Sequence, residues 1–441
     1  MFPNRKARAV SREVRFHMEE NRTTDAFRPA GGRLLQQSVL KHIRRKADGV
    51  KEGAAIGYDA AIFQNGDNLI VQAVGAQPTA RIPADYPLTA GELAWITAEN
   101  QLATCGVYAA TAEIAHATGS AGTAEAAATE AGYATDREMT AGTAAAEAGR
   151  VLGAEVLLVA GSSCPEEVIR REMQRLAAFA TARGCPIVGG NTVWHGEGTS
   201  CLVQVVMTGS VPEYEVMQEK PADGTAEGDA AQAIPADGTA ESGVMLAVSD
   251  PGNFGPQSRK KPIAQDRVFF LGETGCLGAD LLVHREKERL SRRFSESYID
   301  TMRYEADAFS VAPLCKAALD AGAVFLHDVS NGGVHAALYQ LAEAAGCGIA
   351  VRHEGLTIRQ SVIELSEALG INPYQLLGTG GLLAVVPEER AEAFISQMNE
   401  AGLRIGDAGR LTKEKARIVR AESFPMERYL NLPEGDVLDT I

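Results

Sequence analysis

Strand-like and helix-like segments alternate along this chain, and an acidic, Pro/Gly-rich stretch divides them into two halves. The stretch covers residues 214–243 and contains the heptapeptide PADGTAE twice, at 221–227 and 235–241. In the first half, a buried-strand pattern such as AEVLLVAGS is followed by an amphipathic helix pattern such as EEVIRREMQRLAAF. The second half continues in the same way. This alternation predicts a mixed α/β fold on each side of the break.

The same patterns predict the domain boundaries. They give an N-terminal extension at 1–30, a first α/β domain at 31–213 with an Ala/Gly-rich insertion at about 116–150, a linker or loop at 214–243, a second α/β domain at 244–415 and a C-terminal tail at 416–441. The insertion and the linker offer little apolar surface to bury, so we expect both to be exposed loops.

Two local patterns predict individual elements of the first domain. Asn65-Gly66-Asp67 separates two strand-like runs, and Asn-Gly is the dipeptide that favours a tight hairpin turn. The segment from 91 to 117 has helical periodicity throughout and predicts one long helix.

The net charge, the cysteines and the start of the sequence limit the partners, the bonds and the location that we expect for this protein. The formal net charge of −15 would repel a phosphate backbone or an anionic membrane, so we expect neither nucleic acid nor membrane as a partner. The seven cysteines are scattered and form no CxxC pair, which is typical of a reduced protein without a disulfide framework or a zinc site. The start of the sequence lacks the apolar run of a signal peptide, and we expect a cytoplasmic protein.

The order of several motifs resembles that of the aminoimidazole ribonucleotide (AIR) synthetase superfamily, and most of all its HypE hydrogenase-maturation members. Between about residues 31 and 415 the motifs run YDAAIF, ITAENQLATCGV, CPIVGGNTV, GETGCLGADLL, AVFLHDVSNGGVHAAL, LLAVVPEERAEAF and RIGDAGRL. The resemblance implies a PurM-like α/β architecture of two domains, in which the N-terminal sheet pairs with that of a second subunit to form a barrel. It also implies ATP bound between subunits with Mg²⁺, and transfer of the γ-phosphate to an oxygen atom.

The resemblance also assigns cofactor-binding residues. They are Asp59, Asn100, Gly189, Gly190, Asn191, Thr192, Asp328 and Asn331, with Asp59 as the one metal ligand. Glycines in the GGNT motif would form a bend whose amides approach a phosphate; the alternative is a turn between strands without a ligand.

The motif HDVSNGGV also has two interpretations, one with a bound ligand and one without. The family resemblance places Asp328 on the ligand side of the cleft, and Asn331 or Ser330 would cap a helix that starts at Gly333; the alternative is a capped turn without a ligand. His327 is expected to be a packed, hydrogen-bonded residue rather than a base.

Several carboxylates that the family uses are replaced in this chain. Neutral side chains stand at the corresponding positions, namely Tyr58, Val74, Gln101, Asn191 and the loop 378–380, and Glu99 is a poorly oriented substitute. The sequence also has no cysteine after Cys347, whereas HypE uses a C-terminal cysteine to make a thiocyanate. We therefore expect the HypE reaction itself not to occur on this chain.

Three functions remain open from the sequence. The first is an ATP-dependent ligase, kinase or dehydratase with altered metal ligation. The alternative is a non-catalytic nucleotide-binding or ligand-binding assembly protein on the same dimeric scaffold, and the third is a purely structural protein. The expected partners are a second copy of the chain and either a small molecule or another protein.

Overall fold

The computed structural model of the protein describes residues 35–43, 47–109, 149–212, 260–422 and 424–441. The predicted linker at 214–243, and all but the last two residues of the predicted insertion, lie outside these ranges. The described strands form two seven-stranded sheets, one before the linker and one after it. This confirms the predicted mixed α/β fold, while the exact domain boundaries stay predictions.

The first sheet has the strand order β1-β2-β3-β7-β5-β4, with β6 also paired to β5. Its strands are β1 (Val50–Glu52), β2 (Ala60–Asn65), β3 (Asn68–Pro78), β4 (Val107–Tyr108), β5 (Gly149–Gly161), β6 (Ile187–His195) and β7 (Cys201–Pro212). The α-helices among the described residues of this half are α1 (Ala90–Ala103) and α2 (Glu166–Ala182). Helix α1 packs on β3 and β7, and α2 packs against α1, so the apolar core lies on this face of the sheet.

The predicted hairpin is confirmed, and the predicted long helix is wrong. Strands β2 and β3 pair with Asn65 opposite Asn68, and Gly66 takes a φ of 60° in the turn. Helix α1 ends at Ala103 because the chain turns at Gly106, whose φ of 77° suits glycine, and enters β4.

The second sheet has the order β14-β13-β10-β12-β8-β11-β9. Its strands are β8 (Arg267–Leu271), β9 (Phe325–Val329), β10 (Gly348–Arg352), β11 (Gly381–Val386), β12 (Ile405–Thr412), β13 (Arg417–Ala421) and β14 (Phe424–Tyr429). Its helices are α3 (Cys276–Arg285), α4 (Lys287–Ser291), α5 (Glu296–Asp300), α6 (Ala312–Asp320), α7 (Gly333–Ala345), α8 (Gln360–Leu369) and α9 (Ala391–Glu400). Strands β13 and β14 fall in the region that the sequence assigns to a C-terminal tail, so much of that tail extends the sheet.

Helix α1 connects the two halves. It begins with a capping box, in which Thr89 accepts a hydrogen bond from the N–H of Glu92 and Glu92 accepts one from the N–H of Thr89. One side of the helix, including Ala94 and Trp95, belongs to the core of the first sheet, while Leu93 packs into a core of the second half. The two halves therefore share buried apolar surface along this helix.

Among the described residues, every helix is too short or too polar to cross a lipid bilayer.

Candidate functional site

Two buried carboxylates and one imidazole meet where the two halves touch. Asp59 lies immediately before β2, and His327 and Asp328 lie in β9. Nδ1 of His327 is 2.5 Å from Oδ1 of Asp59, and the backbone N–H of Asp328 donates to Oδ2 of Asp59 at 3.0 Å. One potential ligand atom from each residue lies within 4.8 Å of the other two. We call Asp59, His327 and Asp328 the Asp–His–Asp cluster.

Gln340, on helix α7, orients the imidazole of this cluster. Nε2 of His327 is 3.1 Å from Oε1 of Gln340. Because an amide oxygen only accepts hydrogen bonds, Nε2 carries the hydrogen and Nδ1 faces Asp59. At 2.5 Å from the Asp59 carboxylate, Nδ1 carries a hydrogen as well. A bound cation would displace that hydrogen, and the imidazole would then have the arrangement common to metal-binding histidines, in which one nitrogen donates to an oxygen and the other binds the metal.

Burial and the neighbouring charges make this cluster retain protons. Burial raises the pKa of Asp328 well above its usual value, and the adjacent Asp59 carboxylate raises it further. Burial alone would lower the pKa of His327, but the carboxylates of Asp59 and Asp328 outweigh it, and the net pKa is raised. Oδ2 of Asp328 is buried and meets no hydrogen-bond partner among the described residues. A divalent cation at the cluster would offset the same negative charge that these protons offset.

The donor set of the cluster suits a divalent cation. Carboxylate oxygens are the ligands that Mg²⁺ and Mn²⁺ prefer, whereas an imidazole nitrogen is more typical of transition-metal sites. Asp59 and Asp328 therefore fit the Mg²⁺ that the motif resemblance implies, and His327 makes the set at least as suitable for Mn²⁺.

The turn after β9 is built differently from the prediction. Helix α7 begins at Gly333 as predicted, but its N-cap is Gly332 and no side chain caps it, so the predicted capping by Asn331 or Ser330 is wrong. The side-chain oxygen of Asn331 instead accepts a hydrogen bond from Nη1 of Arg81 at 2.8 Å. This contact from the first half holds Asn331 away from the helix end.

Glycine is required at the start of α7. Gly332 and Gly333 have φ values of 77° and 64°, which favour glycine. A Cβ on Gly333 would also lie 2.6 Å from the carbonyl oxygens of Tyr374 and Leu376. The glycine pair in the HDVSNGGV motif therefore follows from both backbone conformation and close packing.

The last residues of the chain cover this turn. The carboxylate of Asp436 accepts hydrogen bonds from the N–H groups of Gly332 at 2.8 Å and Leu377 at 3.1 Å. Asp439 pairs with Arg81 through two nitrogens at 2.7 to 3.0 Å. Backbone amides at a helix start are a common anion site, and here Asp436 is the anion. Its burial raises its pKa to about 6.

The structure does not bring Asn100 to the Asp–His–Asp cluster. Its side-chain amide donates to the carbonyl of Phe309 at 2.8 Å and accepts from the N–H of Val311 at 2.9 Å, so it joins α1 to the second half. Glu99, the potential substitute, binds the indole N–H of Trp95 and the guanidinium of Arg183. Both side chains are engaged in structural contacts.

The residues Gly189, Gly190, Asn191 and Thr192 lie inside strand β6, so the predicted glycine-rich bend is wrong. β6 pairs in parallel with β5, with Gly190 opposite Val156. A Cβ on Gly190 would lie 1.9 Å from the carbonyl oxygen of Val156, which explains the glycine by close strand contact. Strands β3, β7 and β5 separate β2 from β6. At about 4.8 Å per step along a sheet, β6 is roughly 19 Å from β2 and the adjoining Asp59.

The sequence patterns did not identify the residues that complete this site. Arg81, Gln340, Asp436 and Asp439 are isolated polar residues in the sequence, and only the fold places them beside the cluster or the turn. A partial signal existed for His327, because it directly precedes Asp328 at the end of an apolar run.

Comparisons with known proteins agree with this architecture. Residues 264–421 match the family model described as AIR synthase related protein, C-terminal domain. The carbamoyl dehydratase HypE of Rhodobacter capsulatus is 29% identical over 199 residues, which are 44% of this chain and 56% of that protein. The HypE of Azotobacter vinelandii is 24% identical over 286 residues, which are 62% of this chain and 67% of that protein. The chain thus matches between about half and two thirds of the length of these relatives.

Solved structures show the same fold. HypE in a complex with HypF has a TM-score of 0.52 and 16% identity, covering 85% of this chain and 93% of that one. HypE of Escherichia coli has a TM-score of 0.51 and 18% identity, covering 82% of this chain and 86% of that one. The family model, the curated relatives and the fold agree: residues 264–421 match the C-terminal domain of AIR synthase related proteins, and the chain is similar to HypE in sequence and in fold.

Proposed function

We propose that this protein is an ATP-dependent enzyme that uses a divalent cation and transfers the γ-phosphate of ATP. The transferred phosphate either forms the product or activates the acceptor for a further reaction. The acceptor is an oxygen atom of a small molecule or of a carbamoyl group. The observation that supports this proposal most is the Asp–His–Asp cluster, a buried set of three ligand groups at the contact between the two halves. A HypE structure in complex with ATP, with a TM-score of 0.50 and 15% identity to this chain, supports the choice of nucleotide.

Each residue of the cluster has a distinct part in this proposal. Asp59 and Asp328 hold the cation from two different halves of the chain, so its binding would also draw the halves together. His327 contributes a neutral ligand, and Gln340 keeps its Nδ1 directed at the cation. When bound, the cation neutralises charge on the ATP phosphates that would otherwise resist nucleophilic attack.

His327 also explains how a cation site can form in this chain although several carboxylates of the family are replaced. Tyr58 packs edge-to-face against Phe325, and the N–H of Val74 donates to the side chain of Gln101, so these positions are used structurally. A histidine restores one ligand atom but not a negative charge. We therefore expect a cation affinity that is low without ATP and rises when the phosphates supply further oxygen ligands.

We also propose that two copies form the working unit. The face of the first sheet opposite α1 carries exposed apolar side chains among polar ones such as Gln72 and Glu155; Val74 is 47% exposed and Val193 is 43% exposed. A second copy of this sheet would cover that face, as the family resemblance implies. In such a dimer the partner's β6 strand, with the GGNT motif, would be available to a nucleotide bound between subunits.

The proposal is tested by titrating ATP into the purified protein with Mn²⁺, with Mg²⁺ and with neither, and then assaying phosphate release. Asp59→Asn keeps an oxygen for the N–H of Asp328 but removes the charge, so cation-dependent ATP binding should weaken more than about 100-fold, beyond the loss typical of outer-shell changes. Asp67→Asn, in the exposed hairpin turn, is the matched control and should leave binding unchanged.

One observation favours the alternative of a non-catalytic nucleotide-binding or ligand-binding protein. The amides of Gly332 and Leu377, which are suited to a phosphate, are bound to Asp436 of the same chain. ATP binding that is indifferent to the cation and to Asp59→Asn, without phosphate release, would support this alternative. It would refute the proposed enzyme.

A further inference from the structure

A cavity of about 530 Å³ lies in the second half of the molecule, between the first turn of α7 and strands β13 and β14. The segment 372–375 forms a further part of its wall. Pockets that bind small organic molecules have volumes of about 300–1,000 Å³. The lining segment 428–431 lies beyond residues 264–421 that match the family model. The cavity therefore includes a part of this chain that the family match does not cover.

Aromatic rings that contact one another form one wall of the cavity. The rings of His335 and Tyr374 are stacked, with centroids 5.4 Å apart and an interplanar angle of 15°. His353 packs on the same tyrosine with a centroid distance of 4.5 Å. Tyr429 adds a ring that is 78% exposed. Rings that are already held in place favour a planar ligand, since stacking on them orders few additional side chains.

His335 contributes a polar atom that the fold does not use. Its Nε2 is buried and meets no hydrogen-bond partner among the described residues. Burial, helped by the nearby His353, lowers the pKa of His335 to about 4, so the ring is neutral at pH 7 and its Nε2 either donates or accepts, according to the tautomer. A buried polar atom without a partner costs free energy, and a ligand that hydrogen-bonds to it would recover that cost.

The charges around the cavity are already engaged. Among the described lining residues, Arg428 carries the one permanent charge, and it takes part in an interaction of its own within the chain. Burial, and after it the carboxylate of Glu354, raises the pKa of Tyr374, so a negative charge also lies near this wall. That carboxylate accepts a hydrogen bond from the N–H of Glu422 at 2.6 Å. With charges of both signs nearby and each engaged, the cavity favours a neutral ligand over an ion.

Three carboxamide side chains supply the remaining polar groups of the lining, those of Asn372, Gln375 and Asn431. The side-chain oxygen of Asn372 accepts a hydrogen bond from the N–H of Tyr374 at 3.1 Å, which orients the side chain beside the aromatic wall. A carboxamide presents a donor and an acceptor side by side. It therefore pairs well with a heterocycle whose edge also has a donor next to an acceptor, as a carboxamide pairs with adenine in DNA.

We propose that this cavity binds a neutral, planar nitrogen heterocycle with a lactam or amidine edge. The ring packs on the aromatic wall, one ring nitrogen hydrogen-bonds to Nε2 of His335, and the edge pairs with the carboxamides. The ligand is a small molecule other than ATP, because a triphosphate would find no unengaged cationic side chain among the described lining residues.

The test uses two neutral probes, hypoxanthine with a lactam edge and 2-aminopurine with an amidine edge. Each is titrated calorimetrically into the full-length protein in metal-free buffer without ATP, so the result does not depend on the proposed enzymatic function. We expect at least one probe to bind with a Kd below about 1 mM. Stacking on the aromatic wall should also quench the fluorescence of bound 2-aminopurine.

His335→Phe keeps a ring against Tyr374 but removes the nitrogen, and it should weaken binding by about tenfold or more. Its free energy of unfolding in urea should not fall, because the removed atom has no partner among the described residues. His284→Phe is the matched control, since His284 is also half-buried on a helix, α3, and packs against a tyrosine, Tyr86, at 4.9 Å. This control should leave binding unchanged.

Tyr429→Ala provides a second variant that leaves the core intact, because the side chain is largely exposed; it should also weaken binding. The proposal is overturned if neither probe binds at about 1 mM, a concentration that detects even weak ligands. It is also overturned if cyclohexanecarboxamide, which has the amide but no flat ring, binds as tightly, or if His335→Phe and His284→Phe behave alike. Displacement of the bound probe by ATP with Mn²⁺ would overturn it too, because the cavity would then belong to the ATP site.

Discussion

Single residues decide whether the Asp–His–Asp cluster can hold a cation. Substitution of Gln340 tests this without removing any of the three proposed ligands. Gln340→Leu keeps the volume but lets the His327 ring choose either tautomer. We expect Mn²⁺ affinity, measured by electron paramagnetic resonance in the presence of ATP, to fall by about 10- to 100-fold, as for other outer-shell changes. Gln397→Leu, exposed on α9, is the control. Equal affinities in the two variants would show that His327 is not a ligand.

The protonation of the same cluster predicts a pH dependence of stability. The pKa of Asp328 is raised from 3.8 and that of His327 from 6.5, so both groups stabilise the fold at low pH. That contribution is complete below the unfolded-state values and is lost as pH rises through the higher folded-state values. In cation-free buffer, the free energy of unfolding in urea should therefore decline from about pH 4 to beyond pH 6.5.

Asp328→Asn isolates this effect from Asp436, whose raised pKa has the same sign. The variant should show a shallower decline, because its amide cannot ionise. Saturating Mn²⁺ should flatten the decline in the unmodified protein, since the cation replaces the protons. A wild-type decline that neither Asp328→Asn nor Mn²⁺ changes would exclude the cluster as its source.

At the scale of single elements, substitutions in strand β6 can show why the GGNT motif contains glycine. Gly190→Ala places a Cβ against the Val156 carbonyl at a φ of 152°, so we expect the free energy of unfolding to fall by more than about 2 kcal/mol. Gly189→Ala is a control one residue away, because its nearest neighbour would be a Glu155 side-chain atom at 3.7 Å; it should cost less than about 0.5 kcal/mol. Urea unfolding measures both. Equal costs would mean that β6 is not held against β5 in solution.

Elements that depend on local sequence were predicted well, and those that depend on distant contacts were not. The β2–β3 hairpin and the start of α7 at Gly333 follow from turn residues and periodicity. The predicted capping role of Asn331 failed because Arg81, far away in the sequence, takes its side chain. The predicted bend at Gly190 failed because the need for glycine comes from a neighbouring strand. The Asp–His–Asp cluster joins residues from both halves, which no local pattern reveals.

Across the whole molecule, polar contacts tie the two halves together at several points around α1. The phenol of Tyr86 donates to Asp280 at 2.6 Å, and Arg81 pairs with Asp439 of the C-terminal segment. Because Asp59 reaches the cluster from the first half, this alignment of the halves also sets the distances between the proposed cation ligands. The geometry of the site is thus a property of the complete fold rather than of either sheet.

The proposed dimer would form through the open face of the first sheet, the face opposite α1. Val74 lies opposite Val206, which lies opposite Glu155. Glu155 and Val159 share a face of β5, and Val159 lies opposite Val193, so Val74 and Val193 are on the same open face of the sheet. Exposed apolar surface of this kind is typical of an interface. We expect sedimentation analysis to find a dimer at micromolar concentration.

Val193→Glu should shift this protein to monomers, because burying an unpaired carboxylate in an apolar interface costs several kcal/mol. The monomer should stay folded, since the side chain is already 43% exposed in the single chain. Ile263→Glu, at a residue 64% exposed in the second half, is the matched control and should remain dimeric. If ATP is bound between subunits, Val193→Glu should also lose ATP binding, although its Asp–His–Asp cluster is unchanged. A monomeric wild-type protein, or a Val193→Glu variant that remains dimeric, would show that this face is not the subunit interface.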